Sequence, residues 1–203
     1  MSAAANHAPA QAQPYKTNLT PEILGLIIFL VSEIALFGAF FMYYTNLRVL
    51  KGIDWPGSFD IPTDGTSINT LILVASSFTC EFALLSLVRR KKWPVFGWLL
   101  LTFTLGAIFL GLQVHEYMTI GFTPKDTSVG AIFFSLTGLH GVHVFIGLVL
   151  LLLGMIRAAF GRWSPEHHVG LLGISIYWHF VDIVWIILYT VVYCLPGVVT
   201  PAG

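Results

Sequence analysis

Five uninterrupted apolar runs, each long enough to cross a lipid bilayer, constrain the fold of this chain more tightly than any motif within it. A hydrocarbon core of about 30 Å takes roughly 20 helical residues. The runs near Ile23–Leu47, Ile68–Val88, Val95–Ile120, Val129–Ile156 and Val169–Leu195 all reach that length. Backbone groups in lipid must hydrogen-bond within the protein, which leaves helices or closed barrels, and unbroken runs of this length specify helices. The expected fold is an all-α integral membrane protein, a bundle of five transmembrane helices forming one domain over residues 21–203, with a flexible cytoplasmic tail over 1–20. Composition agrees where it bears on this point. Only 10% of the 203 residues are charged, against roughly 25% in an average soluble domain. Ten Lys and Arg balance ten Asp and Glu, and the mean hydropathy is +0.82. A basic nucleic-acid binder and a disordered acidic segment are thereby excluded, and the bilayer itself becomes the first expected partner.

The ends of the runs carry further information. Residues ahead of Ile23 include Pro9 and Pro14 and lack the apolar stretch of a secretory signal, so they read as a tail. Thr20-Pro21-Glu22 reads as a helix start: a cap residue, then a proline and an acid in the first turn. Basic residues resist translocation and so report orientation. Lys16, Arg89, Arg90, Lys91, Lys92, Arg157 and Arg162 make seven on one side, against Arg48, Lys51 and Lys125 on the other. The expected orientation is N-terminus inside and C-terminus outside. Trp55, Trp93, Trp98 and Trp163 fall near span ends, where amphipathic rings anchor at the headgroups. The connection Arg48–Thr66, with Trp55-Pro56-Gly57 and Asp64-Gly65, is expected to be an ordered outer loop. Cys80 and Cys194 both lie in apolar runs with no Cys-x-x-Cys, so neither a disulfide framework nor a metal ribbon is expected.

Ionisable side chains at membrane depth are costly and are functional candidates for that reason. The in-span charges are all acidic: Glu33, Glu81, Glu116 and Asp182, with His115, His140, His143 and His179 as the available cationic partners. The acids must therefore be protonated or bonded to histidine. Counted from the span ends, Glu33, His140, His143 and Asp182 lie near mid-helix and His179 one turn away, so these five are expected to meet at one level as an intramembrane polar network. His140 and His143 are three apart, as are His179 and Asp182, which puts each pair on one helical face and suggests a direct bond in the second. Trp178, Asp182, Trp185, Tyr189 and Tyr193 form one stripe expected to face protein. Gly138, Gly141, Gly147 and Gly154 should admit a neighbouring backbone, and Leu150–Leu153 should face lipid. Glu81, Gln113 and Glu116 are secondary candidates, because a protonated packing residue or an interfacial hydrogen bond accounts for them equally well.

Three classes of function compete. His140 or His143 facing His179 would supply a bis-histidine haem site, although the carboxylate at Asp182 competes for His179. Glu33 and Asp182 would serve a proton-coupled transporter, but such folds are built on paired broken helices that are not seen here. A subunit that docks on a larger membrane enzyme, its buried polar residues locking helices together, fits the uninterrupted spans best. It requires no catalytic residue and no metal in this chain.

The segments Phe29-Leu-Val-Ser-Glu33-Ile, Gly138-Leu-His140-Gly-Val-His143-Val, Ser164-Pro-Glu-His167-His168-Val-Gly170 and Tyr177-Trp-His-Phe-Val-Asp-Ile-Val-Trp185 resemble subunit III of the haem-copper terminal oxidases, in its five-helix bacterial form. Ser76-Ser-Phe-Thr-Cys80 and Gln113-Val-His-Glu-Tyr117 extend the resemblance over almost the whole chain after the tail. It implies a subunit of the bacterial inner membrane that packs directly on oxidase subunit I and carries no redox centre. Haem and copper then belong to partner subunits that reduce oxygen to water and pump protons. Glu33 matches the family's intramembrane glutamate, associated with lipid and oxygen access, and His167 and His168 match an inner-face pair suited to collecting protons. Longer members carry two further helices ahead of the first span here. A small extra subunit is expected to fill that place, and bound phospholipid is compatible with the family. Ubiquinol oxidases and a relative associated with nitric oxide reductase have similar five-helix subunits, and Glu33, where quinol-oxidising relatives often have aspartate, leans toward cytochrome c as electron donor.

Overall fold

The computed structural model describes residues 20–47, 63–89, 92–165 and 168–194. Five helices account for most of them: α1 (Pro21–Thr45), α2 (Thr63–Val88), α3 (Lys92–Thr119), α4 (Ser128–Ala159) and α5 (Val169–Tyr189), the last continued by a π-helical turn over Thr190–Cys194. All five are long and apolar enough to cross a membrane. The expected tail, the stretch 48–62 with Trp55, residues Arg90 and Lys91, His167 and the side chain of Trp93 lie outside the described residues. Boundaries differ modestly from the apolar runs. α2 begins at Thr63, ahead of its hydrophobic stretch, and α4 runs to Ala159, bringing Arg157 into its last turn.

Helix starts follow local chemistry. The Thr20 hydroxyl accepts from the Ile23 amide at 3.5 Å, and Thr127 does the same for Gly130 at 2.8 Å, each satisfying an amide that has no partner within its helix. After α4 the chain reverses at Gly161, whose φ of 63° strains any residue with a Cβ. Trp163 then folds back onto the bundle. Its indole is buried, donates to the Gly154 carbonyl at 2.9 Å, and lies under the Arg157 guanidinium at 4.6 Å. The ring is a piece of the core, and a Cβ at Gly170 would stand 3.1 Å from it, so the missing side chain there leaves it room.

α2, α3, α4 and α5 pack as a closed ring in which α5 returns to α2, and α1 lies outside it against α4 and α5. Trp178 sits at the centre of that ring. A Cβ added at Gly106 of α3 would stand 2.6 Å from its indole, and one at Gly147 of α4 would stand 2.8 Å away, so both positions must lack a side chain for the ring to fit. Of the four fourth-span glycines, Gly147 and Gly154 make close approaches. Gly138 has nothing near it and Gly141 meets only Leu110 at 3.8 Å, so the expectation of close packing fails at those two. It fails also for part of Leu150–Leu153. Leu152 and Leu153 are exposed, but Leu151 is fully buried, because four consecutive helical residues cannot all share one face.

Candidate functional site

The polar residues at membrane depth fall into separate groups. Among the described residues no hydrogen bond or ion pair joins Glu33, His140, His143, His179 and Asp182 into the single network expected.

The first group joins α1 to α4. His143 Nε2 lies 3.1 Å from Glu33 Oε2, with side-chain exposures of 8% and 15%. His143 Nδ1 lies 2.8 Å from the Leu139 carbonyl. A carbonyl can only accept, so Nδ1 carries hydrogen, and the contact at Nε2 then needs one proton, on either the ring or the carboxyl group. The pair is thus a neutral unit holding one shared proton. Phe37 packs edge-on to the imidazole at 5.2 Å, and the Tyr177 hydroxyl donates to the His143 carbonyl at 3.2 Å. Glu33 and Phe37 of α1 and the Leu139 carbonyl of α4 hold the ring, while Tyr177 of α5 bonds to the backbone behind it.

The second group joins α5 to α2. Asp182 and His179 meet through Ser77, which lies in the quoted Ser76–Cys80 segment but was not among the candidate site residues: its hydroxyl donates to Asp182 and lies 3.2 Å from His179 Nδ1. The direct Asp182–His179 bond is replaced by this bridge because of helical phase. Asp182 belongs to the buried stripe, while His179 follows the buried Trp178 by one residue, about 100° around the helix. It emerges at the edge of α5, where Nε2 faces Glu81 at 3.6 Å. The buried stripe itself is a ladder of bonds to α2. Trp178 Nε1 donates to Ser76 Oγ at 2.9 Å, Trp185 Nε1 donates to Thr70 Oγ1 at 3.0 Å, and the Tyr189 hydroxyl lies 2.7 Å from Ser67 Oγ. As the α5 numbers rise the α2 numbers fall, so the two helices run antiparallel.

His140 stands apart. It is buried between Trp185, with ring centroids 4.9 Å apart, and Phe109 at 6.0 Å, and among the described residues neither nitrogen has a hydrogen-bond partner. A final cluster lies at the end of the bundle where α3 finishes. Glu116 accepts from Tyr193 at 2.9 Å and from Thr66 at 3.1 Å, which ties α2, α3 and the end of α5 together, and Gln113 is buried one turn away. Glu116 and Thr66 also line a recess of about 210 Å³ with Asn69 and His115. At the opposite end His168 Nδ1 lies 2.5 Å from the Pro165 carbonyl, where α5 starts. Among the described residues no group of three or more His, Cys, Asp or Glu gathers as metal ligands do.

Ser77, Thr70 and Thr66 are the functional-site residues missed from sequence. Their signal was available as hydroxyls recurring along α2 at helical spacing, on the face that meets the α5 stripe.

The family model described as cytochrome c oxidase subunit III matches residues 12–196. Among curated relatives, cytochrome c oxidase subunit 3 of Thermostichus vulcanus is 39% identical over 175 residues, covering 85% of this chain and 87% of the relative. The protein of the same name from Heterololigo bleekeri is 39% identical over 181 residues, covering 84% of this chain and 68% of the longer relative. The probable cytochrome c oxidase subunit 3 of Mycobacterium leprae is 35% identical over 173 residues, covering 84% of this chain and 86% of the relative.

Proposed function

Because the chain belongs to the cytochrome c oxidase subunit III family, we propose that it is an accessory subunit of a proton-pumping haem-copper oxidase that takes electrons from cytochrome c and reduces oxygen to water. The observation that carries the reading is the family match over residues 12–196, which includes all five helices. In this reading the chain alone catalyses nothing. It sits in the bacterial inner membrane with its N-terminus inside, packs directly on subunit I, and supports the stability of the complex, proton uptake, and access of lipid and oxygen. Haem and copper are held by the partner subunits, and a small additional subunit takes the place of the two helices found in longer members.

The residue roles follow from chemistry that the neighbours permit. The Glu33–His143 pair holds α1 on α4 with a single shared proton, a net charge of zero that suits hydrocarbon. His167 and His168 act as proton collectors at the inner face, histidine being the side chain that titrates near neutral pH. Bound phospholipid is assigned to the outer face of α1, where Ile28, Val31 and Met42 are exposed.

The test is a mild-detergent pull-down of the tagged chain, with reduced-minus-oxidised spectra recorded before and after the companions are stripped away. Haem bands and larger subunits arriving together, with a colourless stripped chain, are expected, along with oxidation of cytochrome c by the complex. A haem spectrum that stays with the isolated chain would make it a cytochrome, and a complex that oxidises quinol instead would place it in a ubiquinol oxidase. Removing the chain from the complex is expected to leave the first turnovers intact and to slow proton uptake or shorten enzyme lifetime. Loss of the first turnover along with the later ones would contradict the accessory role.

A further inference from the structure

The Glu81–His179 pair lies on the outside of the bundle. Their side chains remain 45% and 36% exposed, and Glu81 Oε2 and His179 Nε2 stand 3.6 Å apart, beyond a strong hydrogen bond. Glu81 is seven residues from the end of α2 and His179 ten from the start of α5. At 1.5 Å per residue both lie roughly 10–15 Å in from the helix ends, within the part of the bundle that hydrocarbon would surround. Acyl chains offer neither group a hydrogen bond, and polar groups left unsatisfied there are expensive. On its other side His179 lines a cleft of about 630 Å³ between α1 and α5, whose walls include Ile34, Phe37 and Phe41 of α1 and Ile176 and Ile183 of α5. Gly38 also borders it, with nothing within 4 Å of where its Cβ would be.

We propose that this face, running from Glu81 across His179 into the α1–α5 cleft, is the seat of a transmembrane helix from another subunit. That helix carries a lysine, arginine or amide side chain that donates to Glu81 and an apolar side chain that fills the cleft. Charge complementarity selects the occupant. The neighbouring acids are already engaged, Asp182 by Ser77 and Glu33 by His143, so Glu81 is the acceptor left facing outward. A second copy of this chain is a poor match, because the one Lys or Arg side chain described within its spans is Arg157, at the end of α4 and engaged with Trp163, and its in-span amides Asn69 and Gln113 are buried in its own bundle. A phospholipid headgroup would have to be drawn well below the interface to reach the pair. The proposal rests on the oxidase reading, since it is the complex that supplies the helix.

The experiment places a photo-crosslinking amino acid at Phe78, one turn from Glu81, at Ile183, one turn from His179, and at Leu153 on α4 as an equally exposed control. Each variant is irradiated in native membranes and the adducts are identified by mass spectrometry. Adducts with a helix of another subunit are expected at Phe78 and Ile183 and not at Leu153. E81L should lower them about three- to thirtyfold, the range spanned by interhelical hydrogen bonds in membranes, whereas E81Q, which still accepts, should retain most of the yield. An unchanged melting temperature of the purified E81L chain separates lost docking from misfolding, and if E81L does melt early, H179F provides the same comparison. Phospholipid adducts at all three positions, adducts to a second copy of this chain, or yields indifferent to E81L would each overturn the proposal. Failure of the oxidase reading looks different: no haem-bearing subunit co-purifies at all, whereas failure of this surface alone leaves the complex intact with its crosslinks on another face.

Discussion

α1 and α5 are both apolar enough to span a membrane, yet they are held in opposite ways. About 11% of the most apolar window of α1 is buried, against 50% for α5. α1 buries Ile23, Leu30, Phe37 and Tyr44, one residue every two turns, and it bonds to α4 through the Glu33–His143 contact. α5 buries residues on adjacent faces, Tyr177, Trp178, Phe180 and Trp185 among them, and bonds to α2 through Trp178, Asp182, Trp185 and Tyr189. Since lipid is as apolar as leucine, hydrophobicity does not distinguish a core helix from a peripheral one here. Close packing and interhelical hydrogen bonds do.

The contrast makes graded predictions. Trp178→Ala should have the largest effect, about 3–5 kcal/mol, by emptying the centre of the ring and leaving Ser76 without its donor; denaturant titration of the purified chain in detergent would measure it. Gly147→Ala and Gly106→Ala should each cost about 1–3 kcal/mol by overpacking against the same indole. Gly25→Ala in α1, where nothing lies within 4 Å, should be neutral or stabilising by up to about 1 kcal/mol. A Gly25→Ala loss as large as that of Gly147→Ala would erase the distinction between the two helices. A double-mutant cycle of Glu33→Leu and His143→Phe should give a coupling of about 0.6–2 kcal/mol, with Glu33→Gln milder than Glu33→Leu because an amide can still donate to Nε2. Smallest of all, Ile28→Ala on the exposed face of α1 should stay within about 0.5 kcal/mol in the isolated chain. A larger loss seen only in the assembled complex would show that a partner covers that face.

Much of the architecture was legible beforehand for a simple reason. Spanning length is set by bilayer thickness, and the cap at Thr20 and the inward stripe of α5 are local patterns that depend on neighbours in the chain. The candidate site was legible as a set of residues and not as an arrangement. His140 and His143 looked equivalent as partners for Glu33, but three residues of helix turn one imidazole toward α1 and the other into an aromatic slot between Phe109 and Trp185. His179 and Asp182 looked like a bonded pair until Ser77, about a hundred residues earlier in the chain, came between them.

Hydropathy, helical period and motif are properties of neighbouring residues, and they were enough to find five helices long and apolar enough to cross a membrane, the residues too polar to lie there without a reason, and the family the chain resembles. Which acid meets which histidine, that Trp163 belongs to the core, and that Gly106 and Gly147 make room for one indole emerged from packing alone. Those outcomes depend on the rotation of each helix about its axis. A rotation of about 100° separates the buried Trp178 from the half-exposed His179, and it is fixed by packing between segments that the order of residues does not bring together.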